Sequence, residues 1–251
     1  MVSSVTVFFN SKAKIHSTGL SAFEILGVLF NIIGKYDSNQ ADWLHNHPHP
    51  KPFSVNPIYT DEGILVGMRI NSFFDKVNDL LSISLKSAQE QKELFFLKDA
   101  EFSLELQPIS TKYDWIDLQS ALPKQKVTLR FHSPTCFRKG SAIMPLPIPH
   151  NVFDRPFRIW QKFAPRYLNI EPELLAWVDK HVTVTALNIQ TAQFILTNKL
   201  FIKGFIGDVA FHAKKGPKEN LVAFQSLANL SVFSGVGYKT TMGMGIVERI
   251  D

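Results

Sequence analysis

One cysteine, Cys136, stands in 251 residues. An intramolecular disulfide is therefore impossible, and a cysteine-based zinc site lacks its ligands. Such usage fits a reducing, cytoplasmic compartment. Long apolar runs are missing as well. The longest, around EILGVLFNII, is broken by Glu24 and Asn31 and is too short to span a bilayer. The N-terminal MVSSVTVFFNSKAKI has no basic start before an extended apolar stretch, so VTVFF reads as a strand and not as a secretory leader. No membrane partner is expected. Familiar phosphate-loop patterns are absent too. The glycine-rich GVGYKTTMGMG (235–245) breaks G-x-G-x-x-G, because Thr240 stands where the third glycine belongs, and there is no G-x₄-G-K-[ST]. Both motifs need a strand followed by a helix, whereas this stretch follows a helical pattern and precedes a strand. ATP, GTP and dinucleotides are disfavoured.

What is present is charge divided unevenly along the chain. Residues 1–125 hold 11 Lys and Arg against 14 Asp and Glu, while residues 126–251 hold 16 against 8. Between Lys126 and Arg166 there are eight basic residues and one acid, Asp154. A polyanionic partner is one reading of this asymmetry, and a solvated basic face is the other. Phenylalanine is also abundant, at 21 residues, most of them expected in a core.

The first half has a regular order. VTVFFN is a strand. After a turn containing Gly19, LSAFEILGVLFNIIGKY has helical period, with Phe23, Leu26, Phe30 and Ile33 on one face. KPFSVNPIYT and ILVGMRINSF, joined by DEG, read as a hairpin. FFDKVNDLLSISLKS aligns Phe74, Val77, Leu81 and Leu85, and EFSLELQPIS alternates as a strand. This β-α-β-β-α-β order is that of a ferredoxin-like unit. The second half has the same flavour. KVTLRFHS is a strand, and the Pro-rich SPTCFRKGSAIMPLPIPH is loop or extended. VFDRPFRIWQKFAP is a helix with a break expected at Pro156. HVTVTALNIQTAQFILT and FIKGFIGDVAFHA are β-rich, with Val182, Val184 and Leu187 pointing inward. PKENLVAFQSLANLSVF is a helix and MGIVERI a closing strand. The expected architecture is α+β, two tandem ferredoxin-like βαββαβ domains covering 1–125 and 126–251.

HNHPHPKP spaces His45, His47 and His49 two apart, which on an extended strand places them on one side. Three readings remain open for this segment: a metal site, catalytic histidines, or an exposed loop stiffened by Pro48 and Pro50. The glycine stretch either lets a phosphodiester backbone approach the main chain or packs against a neighbouring domain.

Several of these segments resemble one family. FSGVGYKTTMGMGIVE looks like the signature glycine-rich loop of the CRISPR repeat-processing endoribonucleases of the RAMP superfamily, with its G-x-G-x₅-G-x-G spacing and internal base. FIKGFIGDVAFH resembles the family's G-F-x-G strand, and FHSPTCFRKGSAIMPLPIPHNVFDRPFRIWQKF its basic, Pro-rich connection. WLHNHPHPKPFSVNPIY resembles the Leu-His…Lys-x-Phe segment in which members often carry a catalytic histidine and a lysine. The resemblance implies two ferredoxin-like domains and cleavage of CRISPR repeat RNA, stem-loop or single-stranded, without metal or other cofactor. In that chemistry a 2′-hydroxyl attacks the adjacent phosphate, leaving a 2′,3′-cyclic phosphate and a 5′-hydroxyl. His45 is then the proton-transfer residue. Lys51 stabilises the phosphorane or acts as the acid. The tyrosine that some members place on the first helix corresponds here to Phe30, and His47 is the candidate to fill that gap.

The cations assigned to RNA are Arg130, Arg138, Lys139, Arg155, Arg158, Lys162, Lys199, Lys203 and Lys239. Gly235, Gly237, Thr240, Gly243 and Gly245 join them from the glycine loop. Phe137, Phe153, Phe157 and Trp160 lie among these cations as stacking surfaces or core. A non-catalytic crRNA-binding scaffold is the alternative function, and a metal-dependent hydrolase a more remote one. A CRISPR effector complex is a candidate partner and a homodimer a candidate state.

Overall fold

The computed structural model describes residues 1–17, 20–106, 111–119, 122–197 and 199–251. The turn at Gly19 and the QPIS end of the strand expected over 101–110 lie outside them. The first half runs β1 (Val2–Ser11), α1 (Ala22–Tyr36), α2 (Ser38–Asn46), β2 (Phe53–Tyr59), β3 (Leu65–Ser72), α3 (Asp75–Glu90), β4 (Phe95–Leu97), β5 (Ala100–Leu106), β6 (Thr111–Tyr113) and α4 (Trp115–Gln119). Its sheet has the order β2-β3-β1-β5-β4, with β6 paired to the start of β1.

The second half runs β7 (Lys126–Thr135), β8 (Phe137–Lys139), β9 (Ala142–Met144), α5 (Pro149–Phe163), α6 (Leu174–His181), β10 (Val182–Thr197), β11 (Leu200–Ala213), α7 (Lys218–Ser234) and β12 (Val247–Arg249). Its sheet order is β10-β11-β7-β12. The two sheets share one plan. In the first, β1 lies between β3 and β5 and β2 pairs outside β3; in the second, β7 lies between β11 and β12 and β10 pairs outside β11. Side-chain identities hide this repeat, but the pairing order exposes it, and both halves are ferredoxin-like.

Local chemistry explains the helices. Ser21 caps α1, accepting from the Glu24 amide while the Glu24 carboxylate accepts from the Ser21 amide. In α3, Val77, Leu81 and Leu85 are buried as their spacing requires. Leu221, Phe224, Leu227 and Ser231 of α7 are likewise buried.

Three expectations are corrected, and the Pro-rich segment, expected as loop or extended, gains detail. The buried stripe of α1 is Ile25, Val28, Leu29, Ile32 and Ile33, while Phe23 is exposed and Leu26 and Phe30 are half-buried. The stripe expected from spacing is thus mostly the helix's other face, which borders a cleft. Helix α5 runs unbroken through Pro156, a buried position on its inner side. The Pro-rich segment contains a short β8–β9 hairpin. Leu187 is exposed even though the register shift between Val184 and Ala186 pairs it with the core residue Val209, because β10 is the edge strand of its sheet.

One core lies beneath α1 and α3 and a second between the C-terminal sheet and α5 and α7. The second core also takes Val2, Phe73, Trp115 and Leu118 from the first half. The rings of Trp115 and Trp160 meet edge to face at 5.3 Å. Polar contacts fix the joint as well. Ser54 Oγ and Asn71 Nδ2, on β2 and β3, both donate to the Phe233 carbonyl near the end of α7, at 2.6 and 3.0 Å. The two halves are therefore held in one relative position, and a cleft opens along their seam.

Candidate active site

The cleft has a volume of about 670 Å³. From the first half it is lined by Leu26 and Phe30 of α1, His45 of α2, and His49, Pro50, Lys51 and Phe53. From the second come Phe137, Arg138, Asn151, Asp154, Arg155, Arg158 and the segment from Gly237 to Met242. Four permanent cations besides Lys51 face this space (Arg138, Arg155, Arg158 and Lys239), with Asp154 the single carboxylate among the lining residues.

His45 sits in the last turn of α2 with its side chain exposed. Its ring meets Phe30 edge-on at 5.2 Å, and Phe30 in turn meets Phe53 at 6.2 Å. Phe30 therefore occupies a place beside the imidazole from which a tyrosine could reach the cleft, but it offers no hydrogen bond. Lys51 Nζ donates to the His45 carbonyl, which ties the ammonium to the end of α2. Burial, helped by neighbouring Lys162, lowers the Lys51 pKa from its ordinary value.

His47 does not reach the cleft. It ends α2, and its ring lies 5.4 Å from Trp43 and 6.2 Å from Phe163, with Nδ1 at 2.9 Å from the Pro48 carbonyl. Because α2 runs through Asn46, the three histidines do not alternate along a strand, and His49 is the second imidazole lining the cleft. Burial and the charges of Lys51, Arg155, Arg158 and Lys162 lower its pKa, which keeps it neutral at pH 7. The two-residue spacing put all three histidines on one side, and the resemblance offered His47 for the missing tyrosine; helix and loop replace the assumed strand and bring His49 to the cleft instead. Among the described residues no group of three or more His, Cys, Asp and Glu could hold a metal ion.

The expected RNA-binding cations divide. Arg138 and Lys239 both lie against Tyr238, each with its charge 5.0 Å from the ring, and Lys239 also lies 5.4 Å from the Phe23 ring. Arg158 pairs with Asp154 one helical turn earlier. Arg155 is only 9 % exposed, on the floor of the cleft. Arg130 is elsewhere. It grips Asp208 through two hydrogen bonds of 2.8 and 2.9 Å on the outer face of the C-terminal sheet. Lys162 Nζ donates to the Pro48 and Pro50 carbonyls at 3.0 and 3.5 Å, so it clamps the histidine loop of the first half. Lys139 ends β8, while Lys199 and Lys203 lie on the β10–β11 hairpin, all outside the cleft lining. Phe137, Phe153, Phe157 and Trp160 are core residues.

The glycine loop is packed by protein. A Cβ on Gly245 would lie 1.9 Å from the Val236 carbonyl oxygen, and one on Gly237 2.4 Å from that of Cys136. One on Gly235 would lie 3.0 Å from the Gly245 oxygen, and one on Gly243 2.8 Å from Pro57 Cδ on β2. The loop thus folds on itself and docks on the first half, and Thr240 is buried within it at 3 % exposure. Gly237 and Thr240 also border the cleft, whereas Gly235, Gly243 and Gly245 do not.

Comparison with known proteins agrees with this architecture. The family model for CRISPR-associated endoribonuclease Cas6 matches residues 129–247. A Streptococcus thermophilus protein described as CRISPR-associated endoribonuclease Cas6 is 23 % identical over 220 residues, covering 86 % of this chain and 87 % of its own. A solved Cas6 product complex superposes with a TM-score of 0.84 at 24 % identity, with both chains fully covered. A Thermus thermophilus Cas6 superposes at 0.74 and 22 %, covering 100 % of this chain and 98 % of that one. A RAMP protein described as binding different RNA substrates superposes at 0.59 and 14 %, with both chains fully covered. The chain shares the fold of these structures, two ferredoxin-like domains joined along a seam. Within the second half the chain resembles the Cas6 family, whose model it matches there, and the relatives above extend that likeness along its length.

Proposed function

We propose that this protein is a metal-independent endoribonuclease that cuts within CRISPR repeat RNA, with residues 1–125 supplying the proton-transfer groups and 126–251 most of the binding charge. The observation that carries the reading is the placement of exposed His45 beside Lys51 in a cleft floored by arginines from the other domain. The description of relatives as Cas6 endoribonucleases, one solved as a product complex and another with a substrate mimic, supports the substrate class.

In the proposed reaction His45 accepts the proton of the 2′-hydroxyl adjoining the scissile phosphate. The 2′-oxygen forms a bond to phosphorus, and the P–O5′ bond breaks. Lys51 and the cleft arginines stabilise the added negative charge. A proton returns to the 5′-oxygen, and Lys51 is suited to give it, because its lowered pKa makes the ammonium a stronger acid. The products are a 2′,3′-cyclic phosphate and a 5′-hydroxyl.

The test is cleavage of the local repeat under single-turnover conditions. His45→Ala should slow cleavage roughly 10²–10⁴-fold with little change in RNA affinity, and wild-type activity should persist in EDTA. Wild-type rates from the alanine variant would remove His45 from the mechanism. Tight binding without any product from the wild type would select the scaffold reading instead.

A further inference from the structure

Arg155 stands out among the cations because it is buried and, among the described residues, no carboxylate forms an ion pair with it. Its Nε donates to the Ser234 carbonyl at 2.9 Å, and Nη2 to the Phe53 carbonyl at 3.4 Å. Ser234 ends α7 of the second domain and Phe53 begins β2 of the first, so one guanidinium ties the two halves together. Neither partner is charged. Asp154, the neighbouring carboxylate, takes Arg158 at 3.1 Å instead. A buried charge held only by carbonyl dipoles is costly unless something neutralises it. The guanidinium has five N–H donors in a planar fork, of which these two bonds use two, and the residue lines the cleft. Burial, with Arg158 adding to it, pushes its pKa down to about 9, which leaves it charged at pH 7.

We infer that Arg155 is the phosphate anchor of the cleft, and that an anion bound there tightens the joint between the two domains. The ligand class is a phosphate oxygen pair, presented by an RNA backbone under the function proposed above. The planar fork suits bidentate capture of such a group. Arg158 and Lys51 line the same space and add long-range attraction. Because Arg155 also bonds Ser234 and Phe53, neutralising its charge removes the penalty of holding it between the domains. Anion binding and inter-domain stability are then linked. The sequence assigned Arg155 to RNA binding without placing it, and at 9 % exposure it can meet a ligand only from within the cleft it lines. Its place in the seam makes it a binding and positioning residue.

The experiment uses the full chain and inorganic phosphate or pyrophosphate as probes, with chloride at matched ionic strength as reference. Thermal unfolding is followed with rising anion. The wild type should show a saturable rise in Tm, stronger with pyrophosphate. Arg155→Met should lose it, while Arg130→Met, on the far sheet face, should keep it. Should Arg155→Met fail to fold, Arg155→Lys tests the same point. Lysine keeps the charge but not the fork, so the phosphate Kd should rise roughly tenfold or more. On repeat RNA, Arg155→Lys should lower kcat and raise KM together, which a purely structural strut would not do in protein that remains folded.

A folded Arg155→Met or Arg155→Lys protein with the wild-type phosphate response would overturn the inference, as would a wild type with no saturable response. The phosphate arm does not depend on catalysis. If the Arg155-dependent response is present but repeat RNA is never cut, the functional reading fails and the anchor stands.

Discussion

Replacing Gly243 by alanine asks what the glycine-rich loop is for. Its φ is +91°, a conformation that costs an L-residue about 1–2 kcal/mol. The new Cβ would also lie 2.8 and 2.9 Å from Cδ and Cγ of Pro57. That ring has little room to retreat, because Pro57 is fixed in β2 opposite Met68. Overpacking of this kind adds about 1–3 kcal/mol. The sum, about 2–5 kcal/mol, corresponds to a fall in Tm of roughly 4–20 °C for a chain of this size. Urea and thermal unfolding, read by circular dichroism, give the value directly. Gly27→Ala is the control. Gly27 lies in α1, and a Cβ there would meet nothing within 4 Å, so alanine should stabilise by up to about 1 kcal/mol. Well below its melting point, Gly243→Ala should bind repeat RNA within a few-fold of wild type. An unchanged Tm with a sharp loss of RNA affinity would refute the reasoning, and would mean that the loop contacts RNA and does not dock on the first domain.

Other outcomes follow from the same contacts. Arg130→Ala should leave RNA affinity and its salt dependence unchanged, since Asp208 already holds that guanidinium. Arg138→Ala should reduce the salt slope by roughly one phosphate contact, measured by filter binding over a range of ionic strength. Lys162→Ala frees the carbonyls of Pro48 and Pro50, so single-turnover cleavage should slow more than binding weakens. Stability should fall as pH drops below about 6.5. Burial lowers the pKa of both His47 and His49 in the folded protein, with nearby cations adding to it. Above that pH both imidazoles are neutral in either state and contribute nothing. Below it the unfolded chain binds protons first, and the loss continues until pH passes the folded values. Tm measured against pH should therefore slope less steeply in a His47→Asn/His49→Asn protein, and an unchanged slope would contradict the assignment.

Much of the architecture could be read along the chain. The 3.6-residue period of α3 and α7 and the alternation of β5 depend on neighbours a few residues apart, which a linear pattern records. The order of elements gave two ferredoxin-like halves for the same reason. In α1 the same reading chose the wrong side. Phe23, Leu26 and Phe30 are as apolar as Ile25, Leu29 and Ile32, and a helix with two apolar faces does not say which one meets the sheet. The second face proved to be a wall of the cleft, with Phe30 against His45.

Composition and local spacing by themselves determined the class of fold and the basic second half, because these are properties of adjacent residues, while the pairing of His45 with Lys51 came from the family resemblance of their segment. Only the tertiary structure decided which of the candidate groups meet. Arg130 looked as free as Arg138 until β11 brought Asp208 beside it. His47 and His49 exchanged places as cleft residues once α2 carried the chain through Asn46. The glycines, which could have faced RNA, instead face Val236, Cys136 and Pro57. Partners such as Arg155 and Phe53 are 102 residues apart, and what joins them is the packing of two cores along one seam. No local pattern encodes that joint, since it depends on how whole sheets dock and not on what any short stretch prefers.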